Sequence, residues 1–98
     1  MKYVEFGRTG INISPLVLGT MMFGGRASKE DSFEMIDYAL DCGINIIDTA
    51  NVYASSKSET IVGEALNRNR KRNDVILATK VNGSMGEGPN DSGNSRHH

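Results

Sequence analysis

Sulfur chemistry is nearly absent from this chain. Its single cysteine, Cys42, has no partner for an intramolecular disulfide, and one thiol supports neither a redox pair nor a cysteine-rich metal site. No sign of charge dominates either. Eleven Lys and Arg stand against 12 Asp and Glu, for a formal net charge of −1, so there is no electrostatic reason to expect nucleic acid or an anionic membrane as partner. Long apolar runs are missing: stretches such as Ile44–Ile47 are far too short to cross a bilayer. The opening Met1-Lys2-Tyr3-Val4-Glu5 lacks the apolar core and small-residue cleavage site of a signal peptide. These absences set the expectation of a soluble, cytoplasmic protein. With 98 residues, 38% of them hydrophobic, the chain is at most one small domain with a modest core.

What is present alternates between two textures. Tyr3–Phe6 and Ile11–Ile13 alternate in polarity around Gly7-Arg8-Thr9-Gly10, which reads as a β-hairpin ended by Pro15. Three short apolar runs follow, Leu16–Met21, Ile44–Thr49 and Val75–Val81. Being nearly continuous rather than alternating, they suggest strands buried on both faces, as in a parallel sheet covered by helices. Two helices with readable ends lie between them. The first starts at Ser28 with acidic residues in its opening turn, carries Phe33, Ile36, Ala39 and Leu40 at helical spacing, and ends at Gly43. The second opens on Ser56-Lys57-Ser58-Glu59, a capping-box pattern, and buries Ile61, Val62, Ala65 and Leu66. It closes in the basic run Arg68–Arg72, which reads as a solvated helix end rather than a nucleic-acid patch. A hairpin followed by β-α-β-α-β predicts a parallel α/β sheet with right-handed crossovers. No G-x-G-x-x-G follows the first strand, which weakens a dinucleotide-binding doubly wound fold. From Asn82 to Asn94 the composition is that of a long loop, and the glycines of Gly83–Gly88 read as plain loop in preference to a phosphate cradle.

Three ionisable residues fall at or just past strand ends: Asp48, Tyr53 and Lys80. Ligand sites of parallel β/α folds form at that edge. Position alone leaves two readings, an ion pair that holds two strand ends together beneath a half-buried tyrosine, or a reaction centre. The chemistry suits the second. A free phenol titrates near ~10, too high for efficient proton transfer at neutral pH. An ammonium beside a phenol favours its ionised form, and a carboxylate keeps such an ammonium charged and in place. A phenol so placed can protonate a carbonyl oxygen while hydride, which no side chain supplies, arrives from a cofactor.

The ordered motifs resemble those of the aldo-keto reductases. Gly7-Arg8-Thr9-Gly10 with Ser14, then Leu18-Gly19-Thr20-Met21-Met22-Phe23-Gly24, is similar to the opening of that family. The run from Ala39 to Tyr53 is similar to its signature, followed by Ser58-Glu59, Gly63-Glu64-Ala65-Leu66 and Ala78-Thr79-Lys80-Val81. Gly88-Pro89-Asn90, Gly93 and Ser95-Arg96 resemble the loop before the third helix in the longer-loop, aryl-alcohol-dehydrogenase-like branch. The resemblance implies an α/β fold, the N-terminal part of a (β/α)8 TIM barrel, and an NADP(H)-dependent oxidoreductase that acts on a small carbonyl or alcohol substrate. On this implication Tyr53 is the proton donor, Lys80 eases its ionisation, and Asp48 anchors Lys80. Gly19, Thr20 and Met21 line the cofactor near its nicotinamide, Asp48 also touches the nicotinamide ribose, and Asn82 faces substrate.

Two departures are small: Asn51 replaces a commoner acidic residue, and Ala54-Ser55-Ser56 stands where glycine is frequent. A larger one is that the family's catalytic histidine belongs to the next strand. His97 and His98 follow Ser95-Arg96, where a third helix is expected to start, and do not occupy its position. Residues 1–98 are therefore expected to form a partial oxidoreductase domain that stops before the fourth strand, inactive by itself. A non-catalytic nicotinamide-binding regulatory subunit, like channel-associated β subunits, and a remnant without biochemical function remain as rival classes.

Overall fold

A computed structural model describes residues 1–98. The expected hairpin is present, with shorter strands: β1 (Val4–Glu5) pairs antiparallel with β2 (Asn12–Ile13), Val4 opposite Ile13. Gly7 and Gly10 turn the chain at φ +59° and +76°, backbone conformations that favour glycine.

Three parallel strands follow, β3 (Leu18–Gly19), β4 (Ile46–Asp48) and β5 (Ile76–Ala78), in the order β3-β4-β5. Gly19 stands beside Asp48 and Asp48 beside Ala78, so the last residues of all three strands share one level. Burial on both faces holds for the middle strand, where Ile46 and Ile47 are inaccessible, and not for its neighbours. In β3, Leu18 is half-buried and Gly19 exposed, with Leu16 and Val17 just before the strand 59% and 50% exposed, and in β5 Ile76, Leu77 and Ala78 are half-buried. The reason is pairing: β3 and β5 each have a neighbour on one side only, and Leu16 is held in a turn whose carbonyl accepts the Ser14 hydroxyl at 2.6 Å.

Helix α1 (Lys29–Asp41) begins as expected, with Ser28 Oγ accepting the Asp31 N–H at 3.1 Å. At its end, Gly43 (φ +97°) donates to Leu40 O and Ile44 to Ala39 O, both at 3.0 Å, a Schellman closure that needs a left-handed residue at Gly43. Helix α2 (Lys57–Arg68) does not open in the expected capping box. Ser56 is left-handed (φ +75°) and its side chain caps nothing, while the Glu59 carboxylate reaches across to Thr79 Oγ1 at 2.7 Å. The two residues of the pattern are occupied by a different geometry. The far end of α2 repeats the Schellman pattern, with Arg70 at φ +58° and Lys71 N–H donating to Leu66 O at 3.1 Å.

The core is a single cluster in which Ile36 of α1, Ile47 of β4 and Ile61, Val62, Ala65 and Leu66 of α2 meet. Polar contacts lock the helices together outside it. Asp37 accepts from Arg68 and Asn69, each at 2.9 Å, and Arg68, then Asn69, hold its carboxyl below the usual carboxylate range. Arg68 also lies 4.7 Å from the Phe33 ring centroid. The basic run is accounted for there and at Arg72, which donates to Val75 O at 3.3 Å, as a helix end.

Residues 82–94 form a closed loop, tied by Gly93 N–H to Asn82 O at 2.8 Å and Met85 N–H to Asp91 O at 2.8 Å. Its glycines wrap the Asp91 carboxylate, which accepts the Gly88 N–H at 2.8 Å, so a negative charge occupies the place a phosphate cradle would need. The His98 ring lies 3.2 Å from Gly83 O. No helix is long and apolar enough to cross a membrane.

Candidate active site

The C-terminal edge of the parallel strands gathers the ionisable residues. Asp48 is the last residue of β4, and Lys80 lies two residues past the end of β5. Because Asp48 pairs with Ala78, the lysine rises beside the carboxylate, and Nζ lies 2.7 Å from Asp48 Oδ2. The same ammonium donates to Thr49 O at 2.8 Å. Hydrogen bonding to Asp48 raises the lysine above its ordinary pKa, against a smaller opposing effect of burial. The ammonium is therefore charged across the neutral and mildly alkaline range. Tyr53 stands over it, with Nζ 5.0 Å from the ring centroid.

Tyr53 is held by a short turn. Its N–H donates to Ala50 O at 3.2 Å, and the chain then passes through three left-handed residues, Ala54 (φ +50°), Ser55 (φ +53°) and Ser56 (φ +75°), before entering α2. For residues with a Cβ, each such conformation costs about 1–2 kcal/mol. A depression of about 190 Å³ opens beside the trio, with Tyr53, Lys80, Val81 and Asn82 on its wall. A larger depression, about 360 Å³, lies between the first turns of the helices near Lys29 and Lys57. It gathers no acid–base constellation, and Lys29 there is paired with Glu64 at 2.6 Å.

The remaining residues singled out from sequence fall around the same edge. Gly19 ends β3 with open space where a Cβ would be, and Met21 is exposed. Thr20 is fully buried, and its polar groups are all engaged: its N–H and hydroxyl both donate to Asp48 O, at 3.2 and 3.0 Å. Asn82 reaches the depression, but its side-chain amide donates to Asn94 Oδ1 at 2.9 Å, within the loop. Asn51 donates its N–H to Lys80 O at 3.2 Å, while its side-chain Oδ1 is buried without a partner.

Ser58, Glu59, Thr49 and Thr79 are noted in the sequence only as motif or helix-start residues, with no role in the site, yet they sit directly behind the trio. Ser58, Thr20 and Thr49 form a buried hydroxyl cluster, and Glu59 holds Thr79. A signal for them existed. A threonine directly follows each parallel strand, as Gly19-Thr20, Asp48-Thr49 and Ala78-Thr79.

Known proteins give this geometry its context. The sequence profile of the Aldo/keto reductase family matches residues 15–98. An uncharacterised oxidoreductase, YrpG, of Bacillus subtilis (strain 168) is 41% identical over 93% of the chain, which covers 30% of that relative. A protein of Oryza sativa subsp. japonica, named as a probable voltage-gated potassium channel subunit beta, is 36% identical over the whole chain, again across 30% of its length. Among solved structures, an aldo-keto reductase from Bacillus halodurans in its holo form superposes with a TM-score of 0.78 at 34% identity, over 94% of this chain and 30% of that one. The chain thus spans about a third of the length of these relatives. Its hairpin and β-α-β-α-β order correspond to the N-terminal part of their (β/α)8 barrel. With its family profile, relatives and fold in agreement, the chain belongs to the aldo-keto reductase family.

Proposed function

We propose that this chain carries the proton-transfer part of the site of an NADP(H)-dependent oxidoreductase that interconverts small aldehydes or ketones with alcohols. The observation that carries the reading is Lys80, held between Asp48 Oδ2 and Thr49 O with its ammonium under the Tyr53 ring. In the reductive direction the Tyr53 hydroxyl hydrogen-bonds the substrate carbonyl oxygen and passes its proton to it. Lys80 stabilises the phenolate left behind, and Asp48 fixes Lys80 so that no reorganisation is needed as charge develops. Alcohol oxidation runs the same proton backwards.

The cofactor supplies or accepts the hydride at the substrate carbon. The residues present fit such a group. Gly19 leaves open space at the strand edge, Met21 offers an exposed apolar surface beside it, and Asp48 uses Oδ2 for Lys80, which leaves Oδ1 for a ribose hydroxyl. Asn82 borders the depression where substrate would lie. The cytoplasmic setting expected from the sequence belongs to the same reading.

The test is Tyr53→Phe in an intact barrel that carries this segment. Loss of the hydroxyl should lower kcat by about 10²-fold or more with cofactor affinity nearly unchanged. A kcat within a few-fold of the parent would remove Tyr53 from its role. The 98-residue chain alone, with three of a barrel's eight strands, is proposed to be inactive. NADPH consumption with an aromatic aldehyde, compared with a heat-killed control, checks this. The named channel β relative supports a second reading, a nicotinamide-binding regulatory subunit. The intact barrel would then bind the nucleotide but give no turnover with Tyr53 in place.

A further inference from the structure

Three threonines mark the upper rim of the sheet at one level. Thr20, Thr49 and Thr79 each follow the last residue of β3, β4 and β5, and those last residues are paired as Gly19 with Asp48 and Asp48 with Ala78. All three hydroxyls turn to one place, the first turn of α2. The Ser58 hydroxyl donates toward Thr20, 2.7 Å from its carbonyl oxygen and 2.9 Å from Oγ1. Thr49 Oγ1 lies 3.3 Å from Ser58 Oγ, a hydroxyl pair in which either oxygen can donate. Thr20 Oγ1 in turn donates to Asp48 O at 3.0 Å. On the next residue, Glu59 Oε2 accepts from Thr79 Oγ1 at 2.7 Å.

Every one of these ties ends next to a residue of the site. Thr49 follows Asp48 and accepts from the Lys80 ammonium, while Thr79 precedes Lys80. The link between Thr49 and Ser58 also closes the short segment that carries Tyr53 and its left-handed turn. Ser58, Thr20 and Thr49 are buried, so solvent does not compete for their hydrogen bonds and the geometry is well defined. A serine placed here for packing alone would need no hydroxyl. A Glu59 placed here for solubility would not be held against a strand end.

We propose that Ser58 and Glu59 are positioning residues of this site: by tying the first turn of α2 to the threonines that end the three strands, they set the separation and alignment of Tyr53 and Lys80. The inference rests on the proposed proton-transfer role, and the test separates the two. In an intact barrel carrying this segment, Thr79→Val and Glu59→Ala each remove the β5 tie, Thr79→Ser keeps it, and Ser58→Ala removes the buried one. Misplacement of reacting groups by a fraction of an ångström predicts a kcat roughly tenfold lower in the first two, with the cofactor KM within about twofold of the parent. The pH dependence of kcat should shift as well, and Thr79→Ser should restore both. Thermal melts are recorded for each variant, and where Ser58→Ala fails to fold, the Thr79 and Glu59 variants decide.

Folded variants with parental kcat and an unshifted pH profile would overturn the proposal, whatever their melting temperature, and so would a loss that Thr79→Ser does not rescue. Tyr53→Phe runs in parallel. If it alone abolishes turnover while the positioning variants behave as parent, the proton-transfer reading survives and this inference falls. If Tyr53→Phe is fully active, the proton-transfer reading itself has failed. For a barrel without any turnover, the titration of Lys80 followed by NMR with labelled lysine is the readout. A lower titration point in Glu59→Ala supports the inference, because the groups facing that ammonium are Asp48 and Tyr53 and not Glu59. An unchanged one overturns it.

Discussion

The two ends of the same three strands are both polar and are built for different ends. At the N-terminal end, Asn45 is the centre: its Oδ1 accepts the Ser14 N–H at 2.8 Å, its side-chain amide donates to Asn12 O at 3.0 Å, and its N–H donates to Ser14 Oγ at 3.2 Å. Tyr3 adds a bond from its hydroxyl to Gly43 O at 2.8 Å. Each of these is a neutral bond to backbone or hydroxyl that pins the hairpin beneath the sheet, and the left-handed residues of the hairpin are glycines, Gly7 and Gly10. At the C-terminal end the groups are charged and half-exposed, with the side chains of Lys80 and Asp48 50% and 40% accessible. The left-handed residues there are Ala54, Ser55 and Ser56, which have to bear the strain that glycine avoids. Left-handed backbone and exposed charge also occur at the N-terminal end, at Arg70 (φ +58°) and the Lys71–Asp74 pair. What distinguishes the C-terminal end is the convergence of Asp48, Lys80 and Tyr53 at the edge where β/α barrels carry their reaction face.

That contrast can be broken by experiment in an intact barrel carrying this segment. The largest expected effect is at the upper end. Lys80→Met removes the ammonium beneath Tyr53 and should cost about 10²-fold or more in kcat, with a chemical-denaturation midpoint close to the parent's, because an exposed ion pair contributes roughly 0–1 kcal/mol. Asn45→Ala should do the opposite. It leaves the Ser14 N–H without its acceptor and should lower stability by about 1–3 kcal/mol in the same denaturation experiment, with kcat unchanged. If Asn45→Ala slowed turnover as much as Lys80→Met, the division between the ends would be false. The smallest effect is expected from Ser55→Gly, which relieves one left-handed residue. The gain, offset by glycine's unfolded-state entropy, should be about 0.5–1 kcal/mol, read as a small rise in melting temperature. A fall in melting temperature would mean that the turn after Tyr53 is not strained at Ser55.

Much of the molecule was legible in its sequence because local chemistry decides it. The apolar spacing of Ile61, Val62, Ala65 and Leu66 has one helical solution, and Gly43 after Leu40 marks a helix end that only a left-handed residue can close. The order of elements, the strand-end placement of Asp48 and Lys80, and the family motifs were readable for the same reason. Strand burial was legible only as a property of a closed barrel: the runs Leu16–Leu18 and Ile44–Ile47 are both apolar as letters, but within this segment only β4 has a strand on each side. The second helix start misled in the same way, since Ser56 and Glu59 match a capping box by spacing while Glu59 is drawn across to Thr79. What the sequence alone determined is the set of elements and the residue types at their ends, because propensity, capping and periodicity act over a few residues. What only the tertiary structure decided is which hydroxyls and charges meet. Thr20, Thr49 and Thr79 lie far apart along the chain and become neighbours of Ser58 and Glu59 only when parallel pairing brings three strand ends to one level.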